Sequence, residues 1–131
     1  MNTKYFYPAY FHKAEEGGFW ISFPDLPECL TQGDHMSEAY EMAVDALGLT
    51  LEDRIKDNDV PVPTPVDQLS PEEDAYTVII EFDLLEYRKK HCSKAVKKTL
   101  SIPQWLNEEA MAKGINFSQV LQDGLKAQLG L

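Results

Sequence analysis

The chain has 131 residues, of which 44% are hydrophobic and 26% are charged, and its formal net charge is −10. This composition favours a folded domain with room for a smaller module and excludes a disordered chain. No apolar run reaches the roughly 20 residues that span a bilayer, and the first residues lack the pattern of a secretion signal, so we expect a cytoplasmic protein without a membrane partner.

The first part of the chain predicts a small antiparallel sheet. The aromatic run Lys4–Phe11 and the segment Phe19–Phe23 are typical strands, and the Gly-containing segment between them predicts a hairpin. Alternation places Trp20 on the face opposite Ile21. After an irregular passage that contains two prolines, residues Cys29–Gln32 predict a short third strand.

The period then changes to that of a helix, which we predict from Glu38 to Lys56 with Ser37 as its N-cap. Its apolar stripe is Ala39, Met42, Ala43, Ala46, Leu47, Thr50, Leu51 and Ile55. Its opposite face carries the carboxylates of Glu38, Glu41, Asp45, Glu52 and Asp53, which a solvated surface also explains.

A connector with four prolines follows between residues 57 and 74, where no helix is expected. The run Ala75–Phe82 predicts a buried strand, because it is rich in β-branched and aromatic residues. Asp83, with Glu86 three residues later, predicts the capped start of a short helix that ends near His91.

The last forty residues predict a strand and two helices. The strand is Lys97–Ile102, the first helix begins after Pro103 and ends at Gly114, and Asn116 caps the second. A strand of six residues cannot satisfy its backbone alone, so we expect two chains to pair their strands antiparallel as a homodimer.

Such a two-stranded ribbon fits the major groove of DNA. Its outward side chains would be Lys97, Thr99 and Ser101 from each chain. The amides that open the second helix could hold a phosphate, at Asn116, Phe117 and Ser118.

The charge distribution agrees with two modules. Residues 1–87 hold 4 Lys and Arg against 19 Asp and Glu, whereas residues 88–131 hold 8 against 3. An acidic module attracts a basic protein, and a basic module attracts a polyanion. The two cysteines are far apart and the three histidines are widely separated, so neither a metal nor another cofactor is expected.

Two segments resemble known families. The stretch VKKTLSIPQWLNEEAMAKGINFSQVLQDGL is similar to the ribbon-helix-helix DNA-binding module, although Lys98 stands where that module usually has an apolar residue. The stretch FPDLPECLTQGDHMSEAYEMAVDALGLTLED resembles the antitoxin domain of the HicB family, with Glu28 where the family often has Gly.

The resemblance implies an α+β fold with a partial ribonuclease H-like domain, in the element order βββαβα, at residues 1–91. A hinge at 92–96 and a ribbon-helix-helix module at 97–131 would follow. It implies an antitoxin that occludes a small basic mRNA-cleaving HicA-like toxin and represses its own operon by binding operator DNA. The homodimer could assemble further with the toxin. The candidate toxin contacts are Trp20, Asp25 and Glu28.

Other functions stay open on the sequence alone. The chain could be a stand-alone repressor whose first domain senses a small ligand. A nuclease would need carboxylates that converge on metal ions, and no motif marks Asp25, Asp34 or Asp83 for that task, so we expect no enzyme. Trp20 and Trp105 can both be explained as packing residues, and the ribbon could serve dimerisation only.

Overall fold

The computed structural model describes residues 3–131, which form two compact units. The described residues up to Ser93 make up the first, here called the front unit, and Lys94–Leu131 make up the second, the tail unit. The described residues contain four strands, four α-helices and one short 3-10 turn, so the protein is a mixed α+β protein. Every helix among residues 3–131 is too short or too polar to span a bilayer.

The front unit is built on one antiparallel sheet. Its strands are β1 (Lys4–Lys13), β2 (Phe19–Phe23), β3 (Leu26–Gly33) and β4 (Ala75–Asp83), and they lie in the order β3-β2-β1-β4. The hairpin between β1 and β2 is confirmed, and so is β4 as a strand, because aromatic and β-branched alternation is a local signal. The predicted burial of β4 is wrong, because β4 lies at the edge of the sheet with Tyr76 and Ile79 exposed.

Strand β3 is longer than the sequence predicts. It begins at Leu26, three residues before the predicted start at Cys29, and a register shift at Ser22/Phe23 accommodates its first residues. Pro27 is tolerated there because β3 lies at the edge of the sheet, where an N–H that points away from the neighbouring strand needs no partner in the ladder.

The turn between β1 and β2 requires glycine. Gly18 has a φ of 75°, and a Cβ at this position would lie 2.5 Å from the carbonyl oxygen of Gly33 at the end of β3. No side chain fits such a gap, so the hairpin turn and the end of β3 approach backbone to backbone.

Helix α1 spans Met36–Lys56, and its predicted N-cap at Ser37 is wrong. His35 is the cap: its backbone is extended, and its Nδ1 accepts a hydrogen bond from the amide of Glu38 at 3.3 Å. The Glu38 carboxylate in turn accepts from the amide of Asp34 at 3.1 Å. This reciprocal arrangement resembles a capping box, with a histidine in the place usually taken by Ser or Thr.

The core lies between α1 and one face of the sheet. Buried hydrophobic side chains from all four strands meet the helix there: Tyr7, Ala9, Phe11, Ile21, Phe23, Leu26, Cys29, Ile80 and Phe82. The helix contributes Ala39, Ala43, Leu47 and Leu51, as the predicted stripe requires. Met42 departs from the prediction, since it is 41% exposed, whereas Gly48 is buried on the stripe.

Asp83 ends β4 and caps helix α2, which spans Leu84–His91. Its carboxylate accepts hydrogen bonds from the amides of Leu85 and Glu86, at 3.0 and 3.3 Å, and from the hydroxyl of Thr3 at 2.8 Å. These bonds, with that of Thr3 as the largest contribution, lower the pKa of the Asp83 carboxyl. The predicted start of α2 is therefore confirmed, and the element order is βββαβα.

The tail unit contains helices α3 (Gln104–Ala112) and α4 (Phe117–Leu129). Asn116 caps α4 as predicted, since its side chain accepts from the amide of Gln119 at 3.0 Å. The segment 94–103 forms neither strand nor helix in the single chain, and this includes the predicted strand Lys97–Ile102. The predicted strand would pair with its equivalent in a second copy, so the ribbon stays a prediction.

Candidate functional site

The large apolar side chains of the tail unit are 38–81% exposed. No residue between Lys94 and Leu131 is buried, and only Asn107 and Ala110 are partly buried. Leu100 and Ile102 are 64% and 46% exposed. A folded unit without a buried residue has no core of its own, so its apolar side chains need a cover from outside the unit.

An open groove of about 450 Å³ runs along this surface. It is lined by Lys98, Leu100, Ile102, Asn107, Phe117, Ser118, Val120 and Leu121. The even-numbered residues of the predicted strand line the groove, whereas Lys97, Thr99 and Ser101 are exposed and do not line it. Lys98 is thus on the side of the apolar residues, where the sequence departs from the ribbon-helix-helix pattern.

The start of α4 carries the other predicted DNA contacts. Asn116 uses its side-chain oxygen as the cap, and Phe117 and Ser118 are the first residues of the helix. Amides in a first turn have no acceptor within the helix, and they carry the positive end of its dipole. This end can therefore receive an anion, while Phe117 and Ser118 also border the groove.

In the front unit, Asp25 anchors the proline-rich connector. Its carboxylate accepts hydrogen bonds from both the amide and the hydroxyl of Thr64, with the amide nitrogen at 3.0 Å. The connector is fixed elsewhere too, because the hydroxyl of Tyr7 donates to the carbonyl of Pro61 and the amide of Ser70 donates to the hydroxyl of Tyr10. Asp25 is therefore engaged within the chain.

Glu28 forms a two-pronged ion pair with Arg54 near the C-terminal end of α1. The Nε and Nη2 atoms of Arg54 lie 2.7 and 2.9 Å from the two carboxylate oxygens of Glu28. The Nη1 atom donates a hydrogen bond to the carboxylate of Asp59 at 2.9 Å. The hydrogen bonds from Arg54 are the largest cause that lowers the pKa of the Glu28 carboxyl. The side chain of Glu28 remains 51% exposed.

Trp20 lies on the sheet face that points away from α1. Its ring stacks on the ring of His12, with centroids 3.6 Å apart and planes 10° from parallel, and it remains 43% exposed. His12 is 6% exposed, and its Nε2 lies 2.9 Å from the hydroxyl oxygen of Ser22. A carboxylate oxygen of Glu72, on the connector, lies 3.8 Å from the other ring nitrogen.

Sequence reasoning missed Leu30, which shares this outer sheet face. In the register between β2 and β3, Trp20 is opposite Gln32 and Ser22 is opposite Leu30, so Trp20 and Leu30 are diagonal neighbours. Leu30 is 62% exposed. The sequence shows Cys29 and Leu30 side by side in a predicted strand. That Cys29 faces the core and Leu30 the outer face becomes clear only once β3 is known to begin at Leu26.

Of the predicted front-unit contacts, Asp25 and Glu28 lie in and just after the passage between β2 and β3, and Trp20 lies on β2. Each of them has a partner inside the chain. Among the described residues, no three His, Cys, Asp or Glu side chains gather as a metal site would require. Both cysteines are free thiols, and burial raises the pKa of Cys29.

The comparisons with known proteins give the family. Residues 7–123 match the family described as HicB_like antitoxin of bacterial toxin-antitoxin system. Antitoxin HicB 1 of Photorhabdus laumondii is 52% identical over 63 residues, which are 47% of this chain and 41% of the relative. Antitoxin HicB of Escherichia coli strain K12 is 44% identical over 61 residues, or 46% and 44% of the two chains. The matched region is thus less than half of these curated relatives.

One solved structure is similar over almost the whole chain. It is described as a toxin-antitoxin complex from Streptococcus pneumoniae, and it is 28% identical with a TM-score of 0.59, over 95% of this chain and 99% of the other. The antitoxin HicB of Burkholderia pseudomallei, at 18% identity and a TM-score of 0.55 over 92% and 96%, shares the fold. Because the family match covers most of the sequence, the chain belongs to the HicB-like antitoxins of bacterial toxin-antitoxin systems.

Proposed function

We propose that the chain binds and occludes a small, basic, mRNA-cleaving HicA-like toxin and that it represses its own operon by binding operator DNA. The family match over residues 7–123 carries the antitoxin part of this proposal. The similar structure from Streptococcus pneumoniae is described as a toxin-antitoxin complex, which supports a protein partner. We assign the chain no catalytic residue and no cofactor, and we place it in the cytoplasm with the mRNA that such a toxin cleaves.

The front unit would hold the toxin. Up to Ser93 the chain has 7 Lys and Arg against 19 Asp and Glu, and this excess of negative charge favours a basic partner. The order of β1, β2, β3, α1 and β4 supports a partial ribonuclease H-like description of this unit. Trp20, Asp25 and Glu28 remain the proposed toxin contacts, with the two carboxylates also serving the fold.

The tail unit would dimerise as a ribbon-helix-helix module. Its lack of any buried residue supports this, because a second copy laid on the groove would cover Leu100, Ile102 and Leu121. Pairing of two strands at 97–102 would also satisfy backbone groups that the single chain leaves outside any sheet. Four helices, two from each copy, would then enclose one shared core.

The paired strands would present their polar side chains to the major groove. A lysine can reach guanine, and Thr or Ser hydroxyls can bond several bases, so Lys97, Thr99 and Ser101 would read the operator. The amides at Asn116, Phe117 and Ser118 would fix the dimer on the phosphates.

The test replaces Lys97, Thr99 and Ser101 together with Ala in the full-length chain. Each good base contact is worth about 1–3 kcal/mol, and the dimer loses two sets, so we expect operator affinity to fall to the non-specific level. A gel shift on the promoter fragment, at several salt concentrations, measures the loss. Lys126→Ala is the control, because it removes the same charge outside the ribbon.

Growth rescue against the co-expressed toxin is measured with the same variants. We expect the triple variant to rescue growth like the parent, since the front unit is unchanged. A triple variant that binds the operator like the parent contradicts the ribbon assignment. Loss of rescue in a variant that is still dimeric contradicts the division of labour. Operator binding by a parent that never rescues growth indicates a stand-alone repressor with a ligand-sensing front unit.

A further inference from the structure

We propose that the toxin docks on an open patch of the sheet, formed by Trp20, Leu30 and Gln32 and here called the Trp20 patch. The acidic outer face of α1 is the competing surface. The inference rests on the proposed function and adds to it the surface that makes the contact. The partner it fits is a small basic protein that presents an apolar side chain bordered by Lys or Arg.

The side chain of Trp20 is ordered by its contacts within the chain and is still partly exposed. One face of its indole covers the His12 ring at 3.6 Å, and His12 is fixed in turn by the hydroxyl of Ser22 at 2.9 Å. The indole is 43% exposed, so part of its surface is open to a partner. A side chain that is already ordered loses little conformational entropy on binding, and tryptophan is enriched among the residues that dominate binding energy.

Leu30 extends the apolar surface toward the edge of the sheet. It is a diagonal neighbour of Trp20, it is 62% exposed, and it lies on the edge strand β3. Gln32, directly opposite Trp20, adds an amide that can donate and accept hydrogen bonds at the border. An apolar centre with a polar border is the usual composition of a protein interface.

The charges around the patch favour a basic partner. The hairpin turn beside Trp20 contains Glu15 and Glu16, and the approach of Gly18 to the backbone of Asp34 brings a third carboxylate residue to the same end of the sheet. Glu72 lies 3.8 Å from His12, which is directly beneath Trp20. The basic residue nearest to Trp20 in the sequence is Lys13, and its ammonium lies 5.5 Å from the ring centre of Tyr76.

The outer face of α1 also combines carboxylates with exposed apolar residues, Met42 and Leu49. These are single flexible side chains on a helix surface, and no aromatic residue is stacked among them. Leu49 is 62% exposed, the same as Leu30, so the two leucines form a matched pair. Replacing each with Lys makes the same change of charge and size on the two competing surfaces.

The experiment compares Leu30→Lys with Leu49→Lys in the full-length chain. The binding partner is the HicA-like toxin of the proposed function, and the dissociation constant is measured by calorimetry. We expect Leu30→Lys to weaken binding by at least about 30-fold, as for a residue at the centre of an interface, and Leu49→Lys to leave it within about twofold. Thermal melts of both variants check that they fold.

Hydrogen exchange on the parent protein gives a reading without any substitution. In the complex, we expect slower exchange in peptides that cover residues 19–33 than in the free chain. Slower exchange confined to peptides of α1 overturns the inference, as does a Leu30→Lys variant that folds and binds like the parent. In both of these cases toxin binding itself stands, because the parent binds.

Failure of the parent to bind the small basic protein has a different meaning. It removes the proposed function, and the docking surface with it. The size of the chain alone is measured by light scattering for the parent and for Leu30→Lys. A change of assembly state in that variant, without a partner present, means that a second copy of this chain covers the patch, and this also overturns the inference.

Discussion

Arg54 holds two carboxylates that reach it from different parts of the chain. Glu28 comes from the edge strand and Asp59 from the start of the connector, with nitrogen–oxygen distances of 2.7 and 2.9 Å. Both carboxylates raise the pKa of Arg54, and Arg54 lowers that of Glu28. The three residues therefore join the end of α1 to the sheet and to the connector.

We predict that Glu28→Gln lowers the free energy of unfolding at neutral pH by less than about 1 kcal/mol, because the pair is partly exposed and screened by solvent. The pKa of Glu28 is lower in the folded state than its ordinary value of 4.5, so its contribution is present above that value and is lost as the pH falls through the folded pKa. Urea unfolding of parent and variant between pH 7 and pH 3 measures this, and a difference that grows on acidification contradicts it.

At this scale the sequence identifies special residues without their partners. Asp25 and Glu28 stand out as carboxylates beside prolines, yet their partners, Thr64 and Arg54, are 39 and 26 positions away. Such distant pairs follow from the path of the connector, which no local pattern encodes. The stack of Trp20 on His12 is equally invisible, because it needs the register of β1 against β2.

Among the elements, α1 and α2 are in contact through a glycine. A Cβ on Gly48 would lie 2.7 Å from a ring carbon of Phe82 and 2.9 Å from one of Tyr87. The rings of Phe82 and Tyr87 themselves pack edge to face, with centroids 5.3 Å apart. Burial is the main cause that raises the pKa of Tyr87, whose ring is thus part of the packing.

We predict that Gly48→Ala destabilises the protein by about 1 kcal/mol. Alanine improves helix propensity by about 1 kcal/mol, whereas overpacking a tight contact typically costs about 1–3 kcal/mol. Thermal unfolding measures the balance. The cost should shrink in a Phe82→Leu background, where the nearer of the two obstructing rings is absent, and an equal cost in both backgrounds contradicts this explanation.

Elements with a strong local signal are predictable, and their ends are less so. Strand β2 and the Asn116 cap of α4 agree with the sequence, because alternation and capping act within a few residues. The start of β3 does not, since Pro27 reads as a break until the strand is known to lie at an edge. The cap of α1 moves from Ser37 to His35 because a rarer residue makes the bond.

For the whole molecule, the contrast between the two units decides how it behaves in solution. The front unit has a core of thirteen buried hydrophobic residues, whereas no residue of the tail unit is buried. The sequence alone predicts that the two parts of the chain carry opposite charge, and hence that the first part favours a basic protein and the second a polyanion. The sequence predicts a second copy at the tail only through the lone strand at 97–102 and the ribbon-helix-helix resemblance. Apolar periodicity alone does not predict it, because the period is the same whether the cover lies in the same chain or in another copy.

We predict that the full-length chain is a dimer and that Leu121→Glu makes it a monomer. Leu121 lines the groove that a second copy would cover, and an unpaired carboxylate there would lose its hydration on association. Val62→Glu is the control, since Val62 is 87% exposed on the connector. Sedimentation equilibrium at micromolar concentration measures both, and a monomeric parent with a folded tail unit contradicts the prediction.

The connector between residues 57 and 74 has the composition of a flexible linker, with four prolines and almost no regular structure. Its hydrogen bonds to Tyr7, Tyr10 and Asp25 nevertheless hold it at several points along its length. A protease must bind several consecutive residues in an extended form, so a segment fastened this way is a poor substrate. A broad-specificity protease would therefore cut the chain first at 94–96, which lies outside every helix and strand and before the proposed ribbon, and would release the front unit with its connector intact.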